Sequence, residues 1–173
     1  MLYDTPQAHT HEAGYERLLA ISQRVNWRID DIIGVDRPMD FSRPFLPETF
    51  ARTEPLEFLT PAEKLKLNQI RGFVYLAMFE LVERCILPVI EGMKPARPGD
   101  DPARAPALAQ FALEEAKHIE LFVRFRQAFT EGFDVDCGSI GPAEAIGAAI
   151  RDHGKLALAI FVLGIGWARQ RHY

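Results

Sequence analysis

Cysteine is scarce in this chain: Cys85 and Cys137 are the only two, and they form no CxxC pair. That excludes a disulfide framework, and both are expected to stay reduced, Cys85 inside a helix and Cys137 in a loop. Positive charge is short as well. Twenty Lys and Arg against 24 Asp and Glu leave a net charge of −4, with no basic run or RNA-reading motif. A nucleic-acid partner, which demands a basic face, is therefore not expected. Long apolar runs are missing too. The longest, Leu156 to Ala168, has 13 residues, against the roughly 20 that a membrane-spanning helix needs. The N-terminal Met-Leu-Tyr-Asp-Thr-Pro-Gln-Ala-His-Thr has neither the basic nor the apolar region of a secretory signal. A soluble cytoplasmic protein is the expectation. Strand signals are almost absent, which leaves an all-α fold.

What is present is helical amphipathicity interrupted by proline. At 173 residues and 48% hydrophobic, the chain suits a single domain burying roughly two-thirds of its unfolded surface. Residues 1–58 read as a helix followed by an extended wrap, and residues 59–173 as bundle helices. The first helix is expected over Gly14 to Ile33, with Leu18, Leu19, Ser22, Val25 and Ile29 on one side. Gly34 to Phe58 holds Pro38, Pro44, Pro47 and Pro55 and keeps no period. It is rich in aromatics, so it is expected to lie on the bundle, anchored by Phe41, Phe45, Leu46 and Phe50. Thr60-Pro61-Ala62-Glu63 then sets a capping box with proline at the first helical position. The helix it opens should run to about Gly92, with Pro88 bending its last turns. Pro95 to Pro106 is a loop, and a further helix spans about Ala103 to Thr130. Gly132 to Gly141 connects to a last helical region that begins at Pro142 and breaks near His153-Gly154.

Inside the Ala103–Thr130 helix, Leu108, Phe111, Glu115, His118, Phe122, Phe125 and Phe129 share one face, and Glu114 falls on a solvent-facing one. Glu115 and His118 stand one turn apart and can converge on a point in the interior. An ionised carboxylate among phenylalanines costs several kcal/mol unless a cation or hydrogen-bonded partner compensates. In helical bundles Glu-x-x-His commonly ligates a metal. The preceding helix supplies a second acid, Glu80, in the stretch Gly72-Phe-Val-Tyr-Leu-Ala-Met-Phe-Glu-Leu-Val82, where everything else is apolar. Two acids buried on neighbouring helices repel unless a cation lies between them. Other readings stand beside this one. Glu80 can pair with Arg84 at i+4, Glu83 is a rival ligand three residues on, and a core histidine can be hydrogen-bonded rather than metallated. His153 and His172 are weaker candidates, and His9 and His11 read as surface.

A proline-rich lead-in, a Leu-Thr-Pro-Ala-Glu helix start, a lone buried Glu and then Glu-x-x-His together resemble the ferritin-like di-iron carboxylate proteins. The 35-residue spacing from Glu80 to Glu115 is most similar to the p-aminobenzoate N-oxygenase type, with ribonucleotide reductase small subunits and ligand-binding oxidases as more distant kin. The resemblance covers roughly Tyr15 to Glu131. It implies a ferritin-like helical bundle in which Glu80 is a terminal ligand of one metal, Glu115 bridges two metals and His118 binds the first. It further implies iron, or manganese, as cofactor, and an oxidoreductase acting with dioxygen on a small organic substrate. Phe73, Phe79, Phe111 and Phe122 would shape access, with Tyr75 as a neighbour of the site.

Such families draw a second Glu and a second Glu-x-x-His from two later helices. After Asp152 this sequence has no Asp or Glu. Three readings of the half-set follow. The remaining ligands belong to further helices of a longer protein; or two copies pair about a two-fold axis, making a homodimer with a shared site; or a ferritin-like scaffold persists without metal as a binding module.

Overall fold

Thr60 opens the longest helix by the reciprocal bonds its sequence calls for. Its backbone N–H and hydroxyl donate to Glu63 Oε2 at 2.8 and 2.7 Å, and the Glu63 N–H returns a bond to Thr60 Oγ1 at 3.3 Å. In chain order the helices of this computed structural model are α1 (Ala8–Arg24), a 3₁₀ turn (Ile29–Asp31), α2 (Glu48–Ala51), α3 (Pro61–Met93), α4 (Arg104–Phe133) and α5 (Ala143–Asp152). The structure describes residues 8–93, 98–99, 101–138, 142–154, 156–157, 159–160 and 163–164, by backbone alone at 8–13, 143–144 and 151. Among them there is no strand, only an isolated bridge between Gly34 and Arg37. The fold is all-α. No helix among the described residues is long and apolar enough to cross a membrane.

Helices α3 and α4 form an antiparallel pair. Phe73 meets Phe129, Phe79 meets Phe122, and Val82, Ile86 and Ile90 cluster with Ala112 and Leu108, so positions rise on one helix as they fall on the other. Two apolar clusters hold the seam together. Toward its α3 N-terminal end, Phe73, Leu76 and Phe129 pack with Phe41, Phe45, Phe122, Phe125 and Phe133; toward the other, Val82, Ile86, Ile90 and Ala112 pack with Leu87 and Leu108. Phe129 is fully buried. The candidate ligands lie between these clusters. Helix α3 continues through Pro88 to Met93.

The proline-rich segment does wrap the pair, and backbone hydrogen bonds fix it there. The N–H groups of Phe45 and Leu46 donate to Asn68 Oδ1 at 2.8 and 2.9 Å, and Asn68 Nδ2 donates back to the Leu46 carbonyl at 2.8 Å. Gln69 Nε2 donates to the carbonyls of Phe41 and Arg43. Both amides are buried, and through them backbone groups of Phe41, Arg43, Phe45 and Leu46 are paired with the helix beneath. The Phe45 ring occupies the space a side chain at Gly72 would need, and the Phe41 ring does the same at Gly132. The wrap also contains the short helix α2, which the prolines hid from the sequence reading; Arg52 closes it in the left-handed region, at φ 46°.

The first helix departs from expectation. It begins before Gly14 and stops at Arg24, not near Ile33. The chain then extends through Trp27 into the 3₁₀ turn, because Trp27 is drawn onto α4, where it stacks on His118. Helix α5 stops at Asp152, and Gly154 takes a φ of +88°.

Candidate metal centre

Midway along the seam, α3 contributes Glu83 and α4 contributes Glu115 and His118. One donor atom from each lies within 4.8 Å of the other two. Glu83 is 0% exposed and Glu115 6%. His118 Nδ1 and Glu115 Oε2 are 3.0 Å apart. Two donors bound at about 2.1 Å and at right angles around one ion would also stand about 3.0 Å apart, so the spacing suits a hydrogen bond and a shared metal equally. Two carboxylates converging out of water repel each other, and a divalent cation among them relieves that repulsion. The donor set, two hard oxygens and one imidazole, suits iron or manganese.

Glu80, which the resemblance offered as the α3 ligand, is engaged elsewhere. Arg126 Nη1 donates to its Oε2 at 2.7 Å and Arg84 Nε to its Oε1 at 2.8 Å. Its position, about 60° around the helix from Glu83, turns it toward the arginines. The rival acid stands with the histidine instead. One signal in the sequence bore on this. Glu80 has Arg84 one turn ahead, whereas Glu83 has Phe79 and Leu87 one turn behind and ahead.

Beside the cluster opens a cleft of about 370 Å³ lined by Trp27, Ile32, Leu46, Pro47, Phe50, Tyr75, Phe79, His118, Leu121 and Phe122. His118 belongs to both the donor cluster and the cleft wall. Phe79 and Phe122, expected to shape access, lie in this wall. Tyr75 lies in the same wall, its ring 4.5 Å from that of Phe79. Phe73 is a core residue packed on Phe129, and Phe111 is 44% exposed at a separate cavity between α1 and α4. His153 is exposed, and His172 lies outside the described residues.

Glu114 also departs from the sequence reading. It is not a free surface acid: its side chain is 20% exposed and accepts from Trp27 Nε1 at 3.1 Å, Gln110 Nε2 at 3.2 Å and Lys117 Nζ at 3.3 Å. No periodic pattern could reveal this, since Trp27 is 87 residues away. Compared with known proteins, the chain matches no family model, and no curated protein or solved structure is significantly similar to it.

Proposed function

We propose that this protein is an iron- or manganese-dependent oxidoreductase of the ferritin-like carboxylate type, acting with dioxygen on a small, largely apolar molecule held in the cleft. The carrying observation is that His118 is at once a member of the Glu83/Glu115/His118 cluster and part of the cleft wall. A bound iron or manganese ion would supply dioxygen activation and the oxidising power. The residues of the chain do the rest. Glu83, Glu115 and His118 would hold the ion, the two carboxylates would offset its charge, and His118 would join the site to the cleft wall. The rings of Trp27, Phe50, Phe79 and Phe122 keep water from the substrate, which strengthens every charge interaction within.

Among the described residues this cluster is the single group of three or more donors close enough to hold an ion. It accounts for one ion with open positions, which is the arrangement catalytic metal sites keep. A second ion requires carboxylates from a second copy of the chain or from further helices. The Glu115–His118 contact also suits a metal-free scaffold, in which the two residues satisfy each other. Metal analysis separates these readings. Protein produced with iron and manganese available is expected to carry about one ion per chain, and to lose it in Glu115→Ala and His118→Ala. Two ions per dimer, again one per chain, standing about 3.5–4 Å apart would establish a shared di-metal site. A metal-free wild type, with both variants folding as it does, would leave the scaffold.

A further inference from the structure

The histidine of a metal site is usually held in orientation by a hydrogen bond from its second ring nitrogen to a carboxylate or backbone carbonyl. Among the described residues, His118 has one hydrogen-bond partner, Glu115 at Nδ1, and nothing accepts from its other nitrogen. Two aromatic rings are placed against the imidazole instead. Phe122, one turn along α4, lies 6.3 Å away and 27° from parallel. Trp27 lies 5.6 Å away and 12° from parallel. Phe122 arrives with the helix itself. Trp27 has to be brought from the segment after α1, and specific contacts hold it. Its Nε1–H donates to Glu114 Oε2 at 3.1 Å, and Lys117 Nζ sits 4.4 Å from the centre of its ring. Lys117 is itself bonded to Glu114, so acid, lysine and indole form one clamp.

We infer that Trp27, anchored by Glu114, is a positioning residue for His118, replacing the missing outer hydrogen bond with a stacked ring. The inference rests on the metal reading above. Adjacent residues of α4 divide the work: Glu115 joins the ligand cluster, and Glu114 holds the indole that orients the other ligand. Because Trp27 also lines the cleft, the contact that fixes the imidazole closes the cleft beside it. A free imidazole can rotate about its Cβ–Cγ bond and carry Nδ1 away from Glu115. A parallel ring pressed on its face removes that freedom before the ion binds, so affinity rises without an additional ligand.

The test is cobalt(II) affinity, read by absorbance and by tryptophan emission in a Trp167→Phe background, where Trp27 is the remaining tryptophan. Losing an outer-shell partner costs about 10–100-fold in metal affinity. Trp27→Ala is expected to weaken cobalt binding by that range, and Trp27→Phe, which keeps a ring on the imidazole, by about threefold. Glu114→Ala removes the anchor and leaves the indole; it should weaken binding by about threefold to tenfold. In the single-tryptophan protein, Trp27 emission should be quenched in step with cobalt occupancy. Wild-type affinity in a folded Trp27→Ala overturns the inference. If that variant has lost its helical circular dichroism, unchanged affinity in Glu114→Ala overturns it instead. Trp27 emission that stays constant while cobalt binds does so as well. A wild type that binds no cobalt overturns the metal reading and this inference with it.

Discussion

Arg126 Nη1 donates to Glu80 Oε2 at 2.7 Å across the α3–α4 seam, 46 residues away in sequence. That bond takes from the candidate centre the acid its spacing favoured, and leaves Glu83 in its place. Replacing each acid separates a structural from a ligating role. Glu80→Gln is expected to keep its metal and to lose about 2 kcal/mol of stability, because a buried pair is broken while Arg84 remains half in water. Glu83→Gln is expected to lose the metal. Metal analysis beside urea unfolding of both variants decides it, and metal lost from Glu80→Gln yet retained by Glu83→Gln would reverse the assignment.

Asn68 is the chief fastening of the wrap. Its side chain makes three hydrogen bonds to the backbone of Phe45 and Leu46. Asn68→Ala leaves those buried groups unsatisfied and should cost about 2–3 kcal/mol. Denaturant unfolding measures this. A loss below 0.5 kcal/mol (about the noise of surface substitutions) would mean the wrap is held by its rings alone.

Gly72 and Gly132 are docking points for rings rather than flexible joints. A methyl group at Gly72 meets the Phe45 ring, and one at Gly132 meets the Phe41 ring. Alanine normally improves a helix, but here overpacking should dominate and cost about 1–3 kcal/mol at either position. A gain in melting temperature for Gly72→Ala or Gly132→Ala would show that the rings are free to move aside.

Much of this was legible in the sequence. The Thr60–Glu63 capping box, the apolar face of α4 and the aromatic anchors Phe41 and Phe45 are encoded by residues at fixed local offsets, where spacing alone dictates the contact. The choice between Glu80 and Glu83 was not, because it turns on which tertiary partner each acid meets. Both lie near the seam on α3, and Arg126 on the facing helix, which joins Arg84 in taking up Glu80, fixes the choice. The end of α1 was hidden for a similar reason. Val25 and Ile29 continue the apolar spacing of α1, but stacking Trp27 on His118 and bonding it to Glu114 draw the chain out of the helix.

The capping box makes a prediction about pH. Bonds from the Thr60 hydroxyl and backbone hold the Glu63 carboxyl below its ordinary value of 4.5. A depressed carboxyl adds stability above its unfolded pKa and loses it as pH falls through the folded one. Glu63→Gln keeps an acceptor oxygen and removes the charge. The stability gap between wild type and this variant should be constant from about pH 6 to 8 and close below about pH 4.5. A gap that widens in acid would contradict the charged cap.

The seating of Phe45 on Gly72 and Phe41 on Gly132 also has a kinetic consequence. Phe45 is seated between Gly72 of α3 and Phe125 and Phe129 of α4, so its seat is complete only when the two helices lie side by side, and the helical hairpin is expected to precede the wrap on the folding path. Substitutions in the wrap should then leave the folding rate nearly unchanged and speed unfolding, whereas substitutions such as Phe129→Ala should slow folding. The segment that closes the cleft would be the last to form and the first to leave.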